Sequence, residues 1–144
     1  MAATTTWYGL GMKNVQAGLV DLDSDTFKCM LTTSAYTPDQ DAHQYRSSVT
    51  NEVAGAGYSA GGVTLSGVSL TYDTASNEIR LDFNDPSWAA ASFTARYAVV
   101  YKSRGGAAGA DELLCFIDFG ADQTVGGATF TIQLAATGLL KTTV

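Results

Sequence analysis

Apolar and polar residues alternate over several stretches of the chain with the two-residue period that is typical of β-strands. Between Thr26 and Thr33, for example, Phe27, Cys29 and Leu31 fall on one face of an extended backbone. Stretches of this kind, bounded by Gly, Pro, Asn or Asp, predict strands. The predicted strands are Thr26–Thr33, Val63–Asp73, Glu78–Phe83, Ser92–Lys102, Glu112–Gly120 and Thr129–Leu134.

The region from Val63 to Phe83 predicts a hairpin whose first strand is irregular. The apolar positions of this strand change parity across Gly67, which indicates a β-bulge. Residues 74–77, with the sequence TASN, predict the turn. In the second strand, Ile79, Leu81 and Phe83 are predicted to point inward, and Arg80 and Asp82 outward.

The second half of the chain predicts the central strands. Glu112–Gly120 is apolar on both faces, as expected in the middle of a sheet. Residues 84–88 (NDPSW) are predicted to break the preceding strand, and Trp88 to cover one end of the core. Glycine-rich connections are predicted at 103–110, exposed and mobile, and at 124–128, and the tail is predicted to extend an edge. The larger side chains predicted to share one face of Ser92–Lys102 are Phe93, Tyr97, Val99 and Tyr101.

The N-terminal part predicts an arm and a helix. The arm, about residues 1–9, is expected either to fray or to dock on a neighbouring molecule. Loose helical periodicity from Leu10 to Leu22 predicts a short helix that ends near Gly18. Residues 35–49 are polar and predict a loop with one helical turn after Asp39.

These elements predict one all-β domain over residues 1–144. The expected architecture is an antiparallel β-sandwich or flattened barrel of jelly-roll or immunoglobulin-like type, with one or two short helices near the N-terminus.

 

The stretch Asn51–Gly62 (NEVAGAGYSAGG) contains glycine at four of its twelve positions, Gly55, Gly57, Gly61 and Gly62. Glycine reaches positive φ without a Cβ clash, so the stretch can turn sharply and let another backbone pass close by. A flexible linker would not need Tyr58. We therefore predict an ordered turn that Tyr58 holds in place, followed by a strand that begins at Val63. An ordinary surface loop is the alternative. The stretch has no Lys-Ser/Thr after it, which argues against a phosphate-binding loop.

The composition of the chain indicates that part of its surface contacts other proteins. Charged residues make up only 15% of the 144 residues, so much of the surface is neutral, as in chains that bury part of their surface in an assembly. A net charge of −6 argues against nucleic-acid binding. No apolar run is long enough for a membrane span, and no signal peptide is predicted.

The residues with reactive side chains form no catalytic motif. His43, the only histidine, lies in a polar loop and is expected to be solvated. Cys29 and Cys115 lie in apolar strands and are expected to be buried free thiols, although the sequence does not exclude a disulfide. The spacing of cysteine and histidine does not match a metal site. The sequence therefore assigns no catalytic, cofactor-binding or metal-ligating residue, and an enzyme is not expected.

Several acidic and aromatic residues have a functional and a structural interpretation. Asp21, Asp23 and Asp25 resemble the start of a calcium loop, but Thr26 and Thr32 stand where such a loop needs Gly and Glu, so a solvated turn is expected. Asp118 lies in an apolar strand, where it is expected to accept hydrogen bonds at a sheet end. A platform for carbohydrate binding could be formed by Phe93, Tyr97 and Tyr101, but their burial in the core is the favoured interpretation.

The runs NEVAGAGYSAGG, TARYAVVY and FIDFG, in this order and with DPSW before the second, resemble small virion structural proteins of tailed bacteriophages. The resemblance extends from about Gly18 to Leu134. It implies a virion component, made in the cytoplasm of the host bacterium, and it carries over no catalytic residue.

The expected function is a capsid decoration (cement) protein that binds the outside of the head, as a dimer or trimer, and stabilises the coat subunits. The expected partners are the major capsid protein or other virion proteins, without nucleic acid or membrane. A tail, tail-fibre or head-to-tail adaptor component is the alternative, and a carbohydrate-binding module for host attachment is a second one.

Overall fold

The computed structural model describes residues 3–144, which form two antiparallel β-sheets and one α-helix. The all-β class is therefore confirmed, while the jelly-roll or immunoglobulin-like type stays a prediction. The elements are β1 (Thr4–Trp7), α1 (Gly9–Gln16), β2 (Phe27–Thr32), β3 (Val63–Thr64), β4 (Ser69–Asp73), β5 (Glu78–Asp82), β6 (Ser87–Lys102), β7 (Leu113–Thr131) and β8 (Leu140–Thr143), with short 3-10 helices at Arg46–Ser48 and Ala108–Ala110.

The larger sheet has the strand order β1-β7-β6-β2-β3 and separates two clusters of buried side chains. Cys29, Val100 and Cys115 lie side by side on neighbouring strands and belong to the main core. Val99, one residue along β6, belongs to a smaller core on the other face, which includes Tyr8 and Tyr36. Both faces of the sheet are thus buried at its centre, which explains why β7 begins with an apolar run.

The smaller sheet has the order β4-β5-β8 and packs on the main core. Leu81 of β5 and Leu140 of β8 are buried in that core, and Phe83, just after β5, contacts Phe27 of the larger sheet with ring centroids 5.9 Å apart. The tail therefore extends an edge, as predicted, because β8 pairs with β5.

The predicted strand Val63–Asp73 is divided between the two sheets, so the bulge predicted at Gly67 is wrong. β3 pairs with β2 in the larger sheet, and β4 pairs with β5 in the smaller one. Gly67 has a φ of 68° and lies against the side chain of Asn84, which lets the chain leave one sheet and enter the other. The change of parity in the sequence marks this crossing.

The turn predicted at 124–128 is also wrong, because β7 runs without interruption from Leu113 to Thr131. Its second half pairs with the first half of β6, which begins at Ser87 and includes the buried Trp88. The pairing of β6 with β7 is irregular near Gly126 and Gly127, where extra residues on one strand lie opposite fewer residues on the other. Residues 84–88 therefore end β5 as predicted but also contain the start of β6.

A bulge in β7 accompanies a change of face along β6, so the prediction that four large side chains of β6 share one face is wrong. Ala95 lies opposite Gln123, but Tyr97 lies opposite Asp118, so residues 119–122 bulge out of β7. Phe93 consequently joins the main core, whereas Tyr97, Val99 and Tyr101 lie with the smaller core on the other side of the sheet. These four side chains do not share one face, and alternation alone could not reveal the bulge.

The N-terminal segment is part of the fold rather than an arm over its described length. β1 pairs with β7 and forms an edge of the larger sheet, and Tyr8, which follows it, is fully buried. The start of the predicted arm, residues 1 and 2, lies outside the described residues. The helix predicted over Leu10–Leu22 is present as α1, which ends at Gln16.

Two loops are held by hydrogen bonds and ion pairs. The loop over residues 35–49 contains the predicted turn after Asp39, where the His43 N–H donates to the Asp39 carbonyl. The exposed loop over residues 103–110 is tied down at its ends, since Arg104 pairs with the buried Glu112 at 2.6 Å and donates its backbone N–H to Asp111. Asp111 also pairs with Arg46, at 2.9 Å.

Candidate interaction surface

The strongest candidate for a functional surface is an apolar face of the smaller sheet. Leu70 of β4 lies opposite Leu81 of β5, which lies opposite Leu140 of β8. Tyr72 lies opposite Ile79, and Ile79 opposite Thr142, in the next row. Residues directly opposite each other in an antiparallel sheet share a face, and alternate residues along a strand share it too, so both rows lie on one side.

Only part of this side is covered by the larger sheet. Leu81 and Leu140 are 2% and 4% exposed, whereas Ile79 and Tyr72 are 39% and 53% exposed. Val144 continues the row of β8 and donates its N–H to the Asn77 carbonyl. We call the exposed part of this side, formed by Leu70, Tyr72, Ile79, Thr142 and Val144, the hairpin face.

The opposite side of the smaller sheet is charged and internally paired. Arg80 lies 2.9 Å from both Asp73 and Glu78, and Lys141 lies 3.5 Å from Glu78. An apolar side and a charged side are the usual pattern of a strand pair with one buried face. The hairpin face therefore has the composition of a core surface, yet it is uncovered in the single chain. The prediction that Ile79 is buried is wrong for this reason.

A hydrogen bond fixes the aromatic side chain of the hairpin face, Tyr72. The Tyr72 hydroxyl donates to Asn77 Oδ1 at 3.0 Å, across the turn of the hairpin. Asn77 has a φ of 57°, a conformation that asparagine tolerates in turns. The aromatic ring is thus held in place before any partner binds, which lowers the entropic cost of binding.

Two open grooves adjoin each other at Ala3. The first, of about 490 Å³, lies along the second half of β7, and the second, of about 470 Å³, is lined by Thr5, Trp7 and Leu139 among others. They are open to solvent, and no cluster of charged side chains points into them. Neither groove has the converging polar groups of a pocket for a small molecule.

Tyr58 pins the stretch Asn51–Gly62, as predicted. Its hydroxyl donates to Glu52 Oε1 at 2.7 Å and accepts from the Leu31 N–H at 3.0 Å. Glu52 also accepts from the Gly61 N–H at 2.6 Å, and the Gly61 carbonyl accepts from the Tyr101 hydroxyl at 2.7 Å. The stretch is an ordered strap over the larger sheet.

His43 is held in place rather than freely solvated, which corrects the expectation from sequence. Its Nδ1 lies 2.9 Å from the Tyr36 hydroxyl and accepts from the Asp39 N–H at 3.2 Å, and Tyr36 lies 2.8 Å from the Tyr8 hydroxyl. Nδ1 is therefore an acceptor in this arrangement, and the ring stacks on Tyr36 with centroids 5.7 Å apart. The alternation of apolar residues gave no signal for this group of side chains.

The two cysteines are buried free thiols, as predicted. Both lie opposite Val100, on the strands to either side of it, so their Cα atoms are roughly 10 Å apart, beyond the reach of a disulfide. Burial raises the pKa of the Cys29 thiol to about 12 and also raises the pKa of Cys115. They belong to the main core, whereas His43 packs on the other face of the sheet, so no cysteine–histidine pair is assembled.

The acidic residues singled out in the sequence bind groups of the protein itself. Asp21 Oδ1 accepts from the N–H groups of Asp23 and Ser24, and Asp25 pairs with Lys102 at 2.7 Å. Within residues 3–144, no three His, Cys, Asp or Glu side chains are grouped so as to hold a metal ion. The segment Asp21–Asp25 is a turn closed by its own side chains.

Asp118 lies at the bulge of β7 and not in an apolar environment. Its Oδ1 accepts from Arg96 Nε at 3.0 Å and from the Gly120 N–H at 2.7 Å. The Arg96 guanidinium, and then the Gly120 N–H, lower the pKa of this carboxyl. The hydrogen bond from Arg80 likewise lowers the pKa of Glu78.

These shifts predict that the protein loses stability in acid. Because the pKa values of Asp118 and Glu78 are lower in the folded chain, their contribution is present above the unfolded values of about 4 and is lost as the pH falls through the folded values. We expect the urea midpoint to decrease from about pH 5 towards about pH 2. Asp118→Asn should flatten this dependence, and a variant that kept the full wild-type slope would contradict the assignment.

The carbohydrate platform considered from the sequence is not exposed. Phe93 and Tyr101 are buried and lie on opposite faces of the larger sheet, and Tyr97 is half-buried against the smaller core. The interpretation of these residues as core is confirmed. The exposed aromatic residue of the hairpin face is Tyr72, which the sequence places in a strand without marking it as a functional residue.

In comparisons with known proteins, no family model, no curated protein and no solved structure matches the chain. Within residues 3–144, no helix has the length and apolar character needed to cross a membrane.

Proposed function

We propose that the chain is a structural protein of a bacteriophage virion, and specifically a decoration protein that binds the outside of the head and stabilises the coat subunits. The proposal combines the resemblance of the sequence with the hairpin face. That face is the observation that carries it: an apolar surface with core-like composition that the single chain leaves uncovered.

The surface favours binding to a protein over binding to a small molecule. The hairpin face lies on one side of a sheet, and the charged side chains of these strands lie on the other side. A flat apolar area buries well against another protein, whereas a small ligand would need a concave site with converging polar groups. The proposed partners are the major capsid protein and further copies of this chain.

The number of copies per virion tests the proposal. Purified particles would be analysed by quantitative mass spectrometry, with the major capsid protein as the internal standard. A decoration protein is expected in hundreds of copies. A count of about six or twelve would contradict the head role and favour the alternative of a tail or adaptor ring, since such rings have fixed rotational symmetry.

A second measurement tests the stabilising role. Particles that lack the protein are expected to release their DNA at a lower temperature than wild-type particles, and addition of the purified protein should restore the wild-type value. Particles whose release temperature is the same with and without the protein would contradict a cement function.

A further inference from the structure

The hairpin face raises the question of which surface covers it. We propose that it packs on the same face of a second copy of this chain, around a two-fold axis, so that the two smaller sheets stack face to face. The inference rests on the proposal that this face is an interaction surface, and it names the partner.

The geometry of the smaller sheet fits such a pair. Its inner end is covered by the larger sheet through Leu81 and Leu140, and its outer end extends beyond that cover. Stacked sheets pack about 10 Å apart, through interdigitated side chains. In a two-fold arrangement the outer end of each smaller sheet would cover the outer end of the other, which has the same width of three strands.

The distribution of charge favours a second copy over an acidic or basic partner. The charged side chains of these strands form pairs on the other side of the sheet, and the five residues of the hairpin face carry no side-chain charge. The side chains of two hairpin faces can therefore meet without bringing like charges together, although each chain has a net charge of −6. The same neutrality gives the face no means of selecting a charged partner.

The free edge of β4 supports association at the same place. β4 is the outer strand of the smaller sheet, and its sequence, SLTYD, contains no Lys or Pro. Edge strands that stay free in solution are commonly protected by such residues. The absence of such protection on β4 agrees with an assembled state in which the neighbouring apolar face is covered.

The area that two hairpin faces would bury against each other is typical of a reversible dimer. The largest apolar patch on a typical monomer has an area of roughly 300–600 Å², so a pair of such patches would bury roughly 600–1,200 Å² in total. Stable interfaces bury about 1,200–2,000 Å² in total. We therefore expect a dimer that dissociates on dilution.

Sedimentation velocity between about 1 and 200 μM tests the inference. The wild-type chain is expected to shift from monomer to dimer over this range, and the double variant L70S/Y72S to remain monomeric. Both side chains are exposed, so the fold should persist, which circular dichroism would verify. Leu19→Ser is the matched control, because Leu19 is as exposed as Tyr72, at 53%, and lies outside the smaller sheet; it should dimerise like the wild type.

A single introduced cysteine gives a second readout. Because Cys29 and Cys115 are buried, a thiol reagent should label only the new residue in Tyr72→Cys or Leu19→Cys. Labelling at position 72 should slow several-fold as the protein concentration rises, whereas labelling at position 19 should not change.

Three outcomes would overturn the inference: a wild-type chain that is monomeric throughout, a dimer that survives L70S/Y72S, or a trimer. None of them depends on the number of copies per virion. A failed dimer test and a failed virion role can therefore be told apart.

Discussion

Replacing Gly62 with alanine is expected to lower the free energy of unfolding by more than about 4 kcal/mol, enough to unfold many domains of this size. A Cβ at position 62 would overlap the carbonyl of Cys29 in β2. Moving Cys29 would disturb the ladder between β2 and β6, and moving residue 62 would disturb the pairing of the adjacent Val63 with Cys29. The residue also has a φ of 78°, which alanine rarely adopts. Chemical denaturation followed by circular dichroism would measure the effect.

Gly105→Ala is the matched control for this substitution. Gly105 has nearly the same φ, 77°, but a Cβ there would meet no atom within 4 Å. Only the backbone strain remains, and it should cost about 1–2 kcal/mol. Equal losses for the two variants would show that the close approach of Gly62 to β2 contributes nothing.

Replacing Tyr58 with phenylalanine is expected to cost about 2–3 kcal/mol, although the ring is retained. The change removes a hydrogen bond to the Glu52 carboxylate and leaves the Leu31 N–H without its acceptor. The ring would keep its contacts with Trp88 and Phe93, at centroid distances of 6.4 and 5.9 Å. The loss therefore measures the hydroxyl alone, by denaturation in urea.

Tyr72→Phe provides the comparison for Tyr58→Phe. The Tyr72 hydroxyl also donates to a side chain, but on the exposed surface, where water can replace the bond. Its removal should change the stability by no more than about 0.5 kcal/mol, measured at a concentration where the chain is monomeric. A loss at position 58 as small as this would contradict the role of Tyr58 as the pin of the strap.

The strap itself was predictable from sequence, because its composition is a local property. Glycines that allow close approach, together with one tyrosine, predicted an ordered turn at Asn51–Gly62. The partners of Tyr58 were not predictable beyond this, since Leu31 is 27 residues away along the chain. Contacts between distant segments depend on which strands pair, and alternation does not specify pairing.

The candidate site was predicted in part. The sequence indicated a neutral surface suited to an assembly, and it placed Leu70, Tyr72 and Ile79 on strands of a hairpin. It assigned Ile79 to the core together with Leu81, because the two residues have the same parity. Ile79 is more exposed than Leu81 because the larger sheet covers Leu81 and ends before it reaches Ile79.

The sequence by itself determined the β class, the alternation of most strands, the buried thiols and the ordered strap, because each depends on residues close together in the chain. The tertiary structure alone decided the crossing between sheets at Gly67, the reversal of faces along β6 and the exposure of the hairpin face. The physical reason is that alternation determines the side of a strand on which a residue lies, whereas burial depends on whether another part of the protein covers that side.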